Sequence, residues 1–186
     1  MSEGIIMYKK QLRKELVNKR NLIENKEEKS KIIADIFLGQ EFYTKAQNIM
    51  VYSAINSEVS TDIIIKKLFL DKKTVIFPKC AENFRILSVE IDSENDLERG
   101  AYGILEPLKN EEFPKENIDL VIIPALSYDN HKNRLGYGAG YYDRFLSEFT
   151  GLKIGLCFSE LFDKLRLPAD EFDIKVDIII TDDGIY

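Results

Sequence analysis

DLVIIPALSYDNHKNRLGYGAGYYDRF, residues 119–145, is the stretch on which the fold turns. Its first part, DLVIIPALS (119–127), is a continuous apolar run. Such a run without polar alternation marks a strand covered on both faces, as in a parallel sheet. From Gly140 the period changes. Tyr142, Phe145, Leu146 and Phe149 stand at i, i+3, i+4 and i+7, one face of a helix over about 140–149. Gly136, Gly138 and Gly140 lie between. A buried strand feeding a helix through a glycine loop is a building unit of α/β folds.

The pattern extends in both directions. NIMVYS (48–53) and TVIFP (74–78) predict strands upstream, and KIGLCF (153–158) and VDIIIT (176–181) predict two more downstream. Between the first two, Thr61 is placed to cap a helix whose inner face is Ile64, Ile65, Leu68 and Phe69. The N-terminal stretch from about Ile6 to Leu38 predicts two helices. Leu12, Leu16 and Ile23 form the first apolar stripe, and Ile32, Ile33, Ile36 and Phe37 the second, with Gly39 at the C-terminal cap. Residues 82–118 differ, mixing polar–apolar alternation with Gly100, Gly103 and Pro107, and read as a meander or hairpin. The expected fold is therefore α/β, a mainly parallel sheet flanked by helices, with a small β excursion around 82–118. With no linker, repeat or low-complexity tract, one domain over 1–186 is expected.

Composition narrows the function classes. The chain is 45% hydrophobic and 31% charged, with a formal net charge of -6. That balance supports a real core and argues against a duplex nucleic-acid partner, which favours basic surfaces. Cys80 and Cys157 have no CxxC partners and His131 is the single histidine, so neither a standard zinc site nor a Cys–His nucleophile pair is expected. No run has the length of a signal peptide or a membrane span, so the cytoplasm, with no membrane association and a monomeric state, is expected.

Four constellations carry candidate chemistry. In RLGYGAGYYDRF (134–145) the glycines remove side chains that would hold a phosphate away from the backbone, and they permit positive φ. The loop is neither a Walker loop nor a dinucleotide fingerprint. An anion cradle and a tight turn fit the spacing equally. Tyr142 falls on the buried stripe, whereas Tyr141, turned ~100° from it, can face a ligand. Asp143 can complement the helix dipole or hold magnesium. In KKQLRKELVNKR (9–20), Lys9, Arg13 and Arg20 fall within ~40° of one another on a helical wheel. They border the leucine stripe, either as a solvated face or reaching into a neighbouring cleft. The acids Asp170, Asp173 and Asp177 in PADEFDIKVD (168–177) read as a solvated loop, and as a metal-site candidate only if another carboxylate comes near them.

Taken together, KKQLR (9–13), YSAINSEVST (52–61), FPK (77–79), residues 123–145, GLCF (155–158) and PADEFDIKVD resemble the 5-formyltetrahydrofolate cyclo-ligase family, also called methenyltetrahydrofolate synthetases. The RLGxGxGYYDR pattern is the specific part of the match. The resemblance implies an ATP- and magnesium-dependent enzyme that converts 5-formyltetrahydrofolate to 5,10-methenyltetrahydrofolate and releases ADP and phosphate. It implies ATP contacts from Lys9, Lys10, Gln11, Leu12 and Arg13, and from Arg134, Leu135, Gly136, Tyr137, Gly138, Ala139, Gly140, Tyr141 and Tyr142. Asp143 and Asp173 correspond to magnesium-associated acids. Ile55, Glu58, Ser60, Tyr137 and Tyr141 correspond to the folate side. Some relatives carry basic residues where this loop has Tyr137 and Ala139, which shifts phosphate charge onto backbone N–H groups, Arg134 and the N-terminal bases. Two other classes share a glycine-rich loop: sugar-phosphate isomerase-like enzymes, which need a general base and no ATP, and non-catalytic folate- or nucleotide-binding proteins.

Overall fold

The computed structural model describes residues 3–100, 103–163 and 166–186. Ala101 and Tyr102, inside the predicted excursion, lie outside the described residues. The chain opens with α1 (Glu3–Leu22), α2 (Lys26–Leu38) and a short α3 (Glu41–Lys45). It continues through β1 (Asn48–Met50), α4 (Asp62–Leu70), β2 (Thr74–Ala81), β3 (Arg85–Ile91), β4 (Leu97–Arg99) and β5 (Leu105–Pro107). Then follow β6 (Leu120–Ile123), β7 (Ser127–Asp129), β8 (Arg134–Leu135) and α5 (Tyr141–Leu146). The chain closes with β9 (Leu152–Leu156), β10 (Phe162–Asp163), β11 (Ile178–Thr181) and β12 (Gly184–Ile185).

Seven strands form the main sheet in the order β12-β11-β9-β6-β1-β2-β3. The five inner strands run parallel, and β12 and β3 pair antiparallel at the two edges. The expected α/β architecture is thus present. The centre of the sheet is apolar on both faces, as the uninterrupted runs require: Ile49, Met50, Val121, Ile122, Ile123 and Ile154 are fully buried. Packed helices supply the cover. Ile33 and Phe37 of α2 and Ile64 and Leu68 of α4 point inward, on the predicted stripes.

The topology places a cleft. From β1 the chain moves to β2 on one side, then returns with β6 to the other side of β1. The direction of winding therefore reverses between β1 and β6. In open α/β sheets ligands bind outside the carboxyl ends of the strands at such a switch point. Here those ends lead into residues 51–61 and 124–140.

Several local expectations need correction. DLVIIPALS is not one strand. Pro124 lacks an amide donor, and β6 stops at Ile123; Ser127 begins β7, which joins β8 and β10 in a separate three-stranded sheet. The helix expected over 140–149 spans only Tyr141–Leu146, although Phe145, Leu146 and Phe149 are buried as predicted; Tyr142 is only half-buried, packed against the core. Thr61 sits at the N-cap of α4 but makes no capping bond. Its hydroxyl instead donates to the Tyr52 carbonyl at 2.7 Å. Gly39 caps α2 in a right-handed conformation (φ -77°), so no left-handed turn demands glycine there. The excursion is partly integral to the sheet, because β3 pairs with β2 along its whole length and only β4 and β5 form a separate ribbon.

Candidate functional site

Two loops and one helix face build the site. Residues after β1 fold into a closed turn in which Tyr52 donates to the Val59 carbonyl at 2.9 Å and Glu58 accepts the Ile55 N–H at 2.9 Å. The Glu58 side chain is only 5% exposed. Its second oxygen accepts the Tyr137 hydroxyl. Burial pushes the Glu58 carboxyl above the usual range, and Tyr137, the Ile55 N–H and Arg20 pull it back in part.

Residues after β6 form the β7–β8 hairpin and then the glycine loop. Asp129, fully buried, organises this hairpin. It accepts N–H groups from His131 (2.8 Å), Asn133 (2.9 Å) and Leu167 (2.8 Å), and the Asn133 amide at 2.8 Å. A buried carboxylate with four donors is stably held, and the Leu167 contact ties the hairpin to the segment leading to Asp170 and Asp173. Gly138 (φ +100°) and Gly140 (φ +74°) both lie in the left-handed region that favours glycine. A Cβ on Gly138 would fall 2.9 Å from the Arg13 guanidinium carbon.

The basic face of α1 closes the cleft. Lys9 is buried, and its ammonium donates to Asp170 at 2.9 Å and Asp173 at 2.6 Å. Arg13 donates from Nε to the Gly136 carbonyl at 2.9 Å. Arg20, buried, reaches Ser57 (3.1 Å) and the Tyr137 hydroxyl (2.9 Å). Of the two alternatives open for this face, the cleft is realised. Lys10 and Gln11 instead face solvent, with Gln11 donating to Glu15, and Leu12 is half-buried beside them.

The remaining predicted residues divide. Arg134 donates to Asp143 at 2.6 Å, its guanidinium lies 5.7 Å from the Tyr142 ring centre, and its buried Nε has no partner among the described residues. Asp143 also accepts the Ile174 N–H at 3.2 Å. Leu135 is buried in β8, and Ala139 offers its carbonyl to Arg144 at 2.9 Å. Tyr141 meets Phe84 edge-on at 5.7 Å, so the tip of the β2–β3 hairpin leans over the start of α5. Ser60 donates its N–H to Ser30 and lines, with Glu58, Asn56 and the first turn of α2, an open groove on the outer side of the loop.

Arg20, Ser57, Asp170 and Phe84 were not among the predicted site residues. Arg20 and Asp170 carried a signal, the helical wheel and the acid series. Ser57 and Phe84 carried none, since their roles arise from contacts across the fold. Burial raises both thiols, Cys80 to about 11 (with Glu106 adding) and Cys157 to about 12, so neither is a thiolate nucleophile near neutrality.

Fold and site together define an α/β protein whose glycine loop, bonded by Arg13, lies at the topological switch point of the sheet. The family model of the 5-formyltetrahydrofolate cyclo-ligase family matches residues 5–182. The 5-formyltetrahydrofolate cyclo-ligase of Mus musculus is 27% identical over 95% of this chain and 94% of its own. That of Mycoplasma pneumoniae is 29% identical over 95% and 100%. The solved structure of Aquifex aeolicus 5,10-methenyltetrahydrofolate synthetase superposes with a TM-score of 0.84 at 31% identity, covering 95% of this chain and 91% of that one. The chain belongs to the 5-formyltetrahydrofolate cyclo-ligase family, and so to the cyclising ligases that form carbon–nitrogen bonds.

Proposed function

We propose that the protein uses ATP to convert 5-formyltetrahydrofolate to 5,10-methenyltetrahydrofolate, releasing ADP and phosphate. The observation that carries this reading is the convergence of Arg13, Gly136–Gly138 and the buried Glu58 at the switch point. In this reading the glycine loop binds phosphate, and Glu58, which accepts the Tyr137 hydroxyl, accepts a heterocycle's N–H groups.

A formamide carbonyl is a weak electrophile and its oxygen leaves poorly. Attack of that oxygen on the γ-phosphorus of ATP expels ADP and gives an iminium phosphate. N10 of the folate then adds to the formyl carbon. Loss of the N10 proton and departure of phosphate complete the ring. Phosphoryl transfer of this kind depends on positioning and charge stabilisation rather than on a protein nucleophile. That suits a chain whose thiols are held protonated.

The residues divide the work. Gly136, Gly138 and Gly140 present backbone N–H groups to phosphate oxygens, with Tyr141 and Tyr142 at the start of α5 behind them. Arg13 and Lys9 offset developing negative charge, and the Lys9–Arg13 segment with Arg134–Tyr142 forms the ATP side. Glu58 accepts hydrogen bonds from the folate, with Ile55, Ser60, Tyr137 and Tyr141 lining its approach.

Asp143 and Asp173 suit magnesium in a limited way. Asp143 Oδ1 and Asp173 Oδ2 are taken by a cation and a backbone N–H, which leaves the second oxygen of each available. No group of three or more metal-ligating side chains gathers among the described residues. Such a donor set fits an ion that takes one or two carboxylates and completes its shell with phosphate oxygens and water. When bound there, magnesium would neutralise phosphate charge. Incubating the protein with 5-formyltetrahydrofolate and Mg-ATP, and following methenyl-folate absorbance, tests the proposal; growth of that absorbance is expected, and its absence rejects the activity.

A further inference from the structure

We propose that Arg20 is a positioning residue for the folate side of the site, locking Glu58, Tyr137 and Ser57 from two separate loops onto α1. The inference rests on the reading of Glu58 as the folate acceptor. Its structural basis is independent of that reading.

Arg20 stands two turns beyond Arg13, rotated by only ~20° at ~100° per residue. The two arginines therefore address the same loop. Arg13 holds the Gly136 carbonyl and Arg20 holds the side chain of the next residue, Tyr137. From the same guanidinium Nε reaches Ser57, whose hydroxyl in turn donates to Asn21 at 2.7 Å. The Arg20 and Glu58 side chains are 4% and 5% exposed, with Nη1 4.0 Å from Oε1. A planar fork can serve several acceptors in fixed directions, which an ammonium cannot.

The groups that surround Glu58 come from several elements. Tyr137 from the glycine loop, Tyr52 from the turn after β1, Tyr128 of β7 and Tyr142 of α5 act electrostatically on Glu58 or feel it. Cys157 shares the small cavity lined by Arg20 and Glu58. Burial raises all four phenols and this thiol, so they are neutral near pH 7. Among these groups Arg20 is the cation that faces Glu58. Arg20 favours the Glu58 carboxylate against its burial. Removing the cation must move Glu58 ionisation upward in pH.

The test uses Arg20→Met and Arg20→Lys in the full chain. Carbon-13 NMR of labelled glutamate follows Glu58 whether or not the protein turns over. Arg20→Met should raise the Glu58 midpoint by about one pH unit or more, as loss of an opposite charge within a few ångströms does. If the cyclo-ligase reading holds, the acid limb of kcat/KM for 5-formyltetrahydrofolate moves with it. Folate KM then rises about tenfold, the loss of one charged hydrogen bond, while ATP KM stays within twofold. Arg20→Lys keeps the charge but not the fork, so it should leave the midpoint near wild type and still raise folate KM. An unmoved Glu58 midpoint in folded Arg20→Met overturns the proposal. A moved midpoint in an enzyme inactive on 5-formyltetrahydrofolate rejects the activity and keeps the positioning role. Should Arg20→Met fail to fold, Arg20→Lys decides through Tyr137. Its phenol resonance should shift on loss of the fork, and a wild-type resonance with wild-type folate KM overturns the proposal.

Discussion

Arg13 donates to the carbonyl of Gly136 at 2.9 Å across 123 residues of sequence, and this bond fastens the first helix to the glycine loop. A side chain on Gly138 would compete for the space Arg13 occupies. Gly138→Ala should displace the guanidinium, weaken ATP binding about tenfold through loss of one charged hydrogen bond, and cost about 1–2 kcal/mol because alanine resists positive φ. Separate titrations of ATP and folate KM check this, with ATP KM the one that moves; unchanged ATP kinetics would count against the cradle.

The Lys9 cluster predicts a pH-dependent stability. Burial is the largest single influence on the Lys9 ammonium and lowers its pKa, but bonds to Asp173 and Asp170 outweigh it and hold the pKa above 10.5. Burial likewise opposes the Asp170 charge, yet the Lys9 bond and the Phe172 N–H leave its carboxyl below 3.8. A raised lysine contributes stability that is present below 10.5 and lost as pH rises through the folded value. A lowered aspartate contributes stability that is present above 3.8 and lost as pH falls through the folded value. The Tm gap between wild type and Lys9→Met should therefore be widest between those limits and close beyond both. A gap independent of pH would show that Lys9 acts by packing alone.

Asp143 has two duties that one variant can separate. Asp143→Asn keeps the shape but leaves the buried Arg134 guanidinium without its counter-charge. A cost of about 2 kcal/mol is expected, below that of a fully buried pair because Asp143 is partly exposed. In the proposed mechanism magnesium-dependent turnover is also lost, most severely at limiting magnesium. Denaturant unfolding reads the first effect, and kcat against magnesium concentration the second. Full activity at limiting magnesium would remove Asp143 from the metal role.

Gly155 in β9 tests the scaffold beneath the site. A Cβ there would lie 2.4 Å from the ring of Tyr128, which is fully buried and donates to the Ile123 carbonyl at 2.5 Å. Gly155→Ala should destabilise by about 1–3 kcal/mol through overpacking and shift the β6 exit on which the glycine loop rests. A thermal melt unchanged from wild type would show that the ring has room to move.

The sheet was legible because apolar runs and helical stripes are local patterns. The face shared by Lys9, Arg13 and Arg20 was legible for the same reason, as it needs only helical geometry. Its use was not, because the wheel cannot say whether basic residues meet solvent or a loop more than a hundred positions away. Pro124 was visible as a residue, but the departure of Ser127 into a second sheet depends on pairing with Arg134, Leu135 and Phe162. Asp129 belongs to no motif that marks it out. Its four donors include Leu167, and no spacing rule links those positions. Phe84 sat in the least patterned segment, and its contact with Tyr141 follows from the turn of the β2–β3 hairpin.

The most direct measurement counts ADP against methenyl-folate when the protein is supplied with 5-formyltetrahydrofolate and Mg-ATP. One ADP for each methenyl-folate formed, with no product when ATP is withheld, is the predicted result. Methenyl-folate formed without ATP, or ATP cleaved with no methenyl-folate, would contradict it.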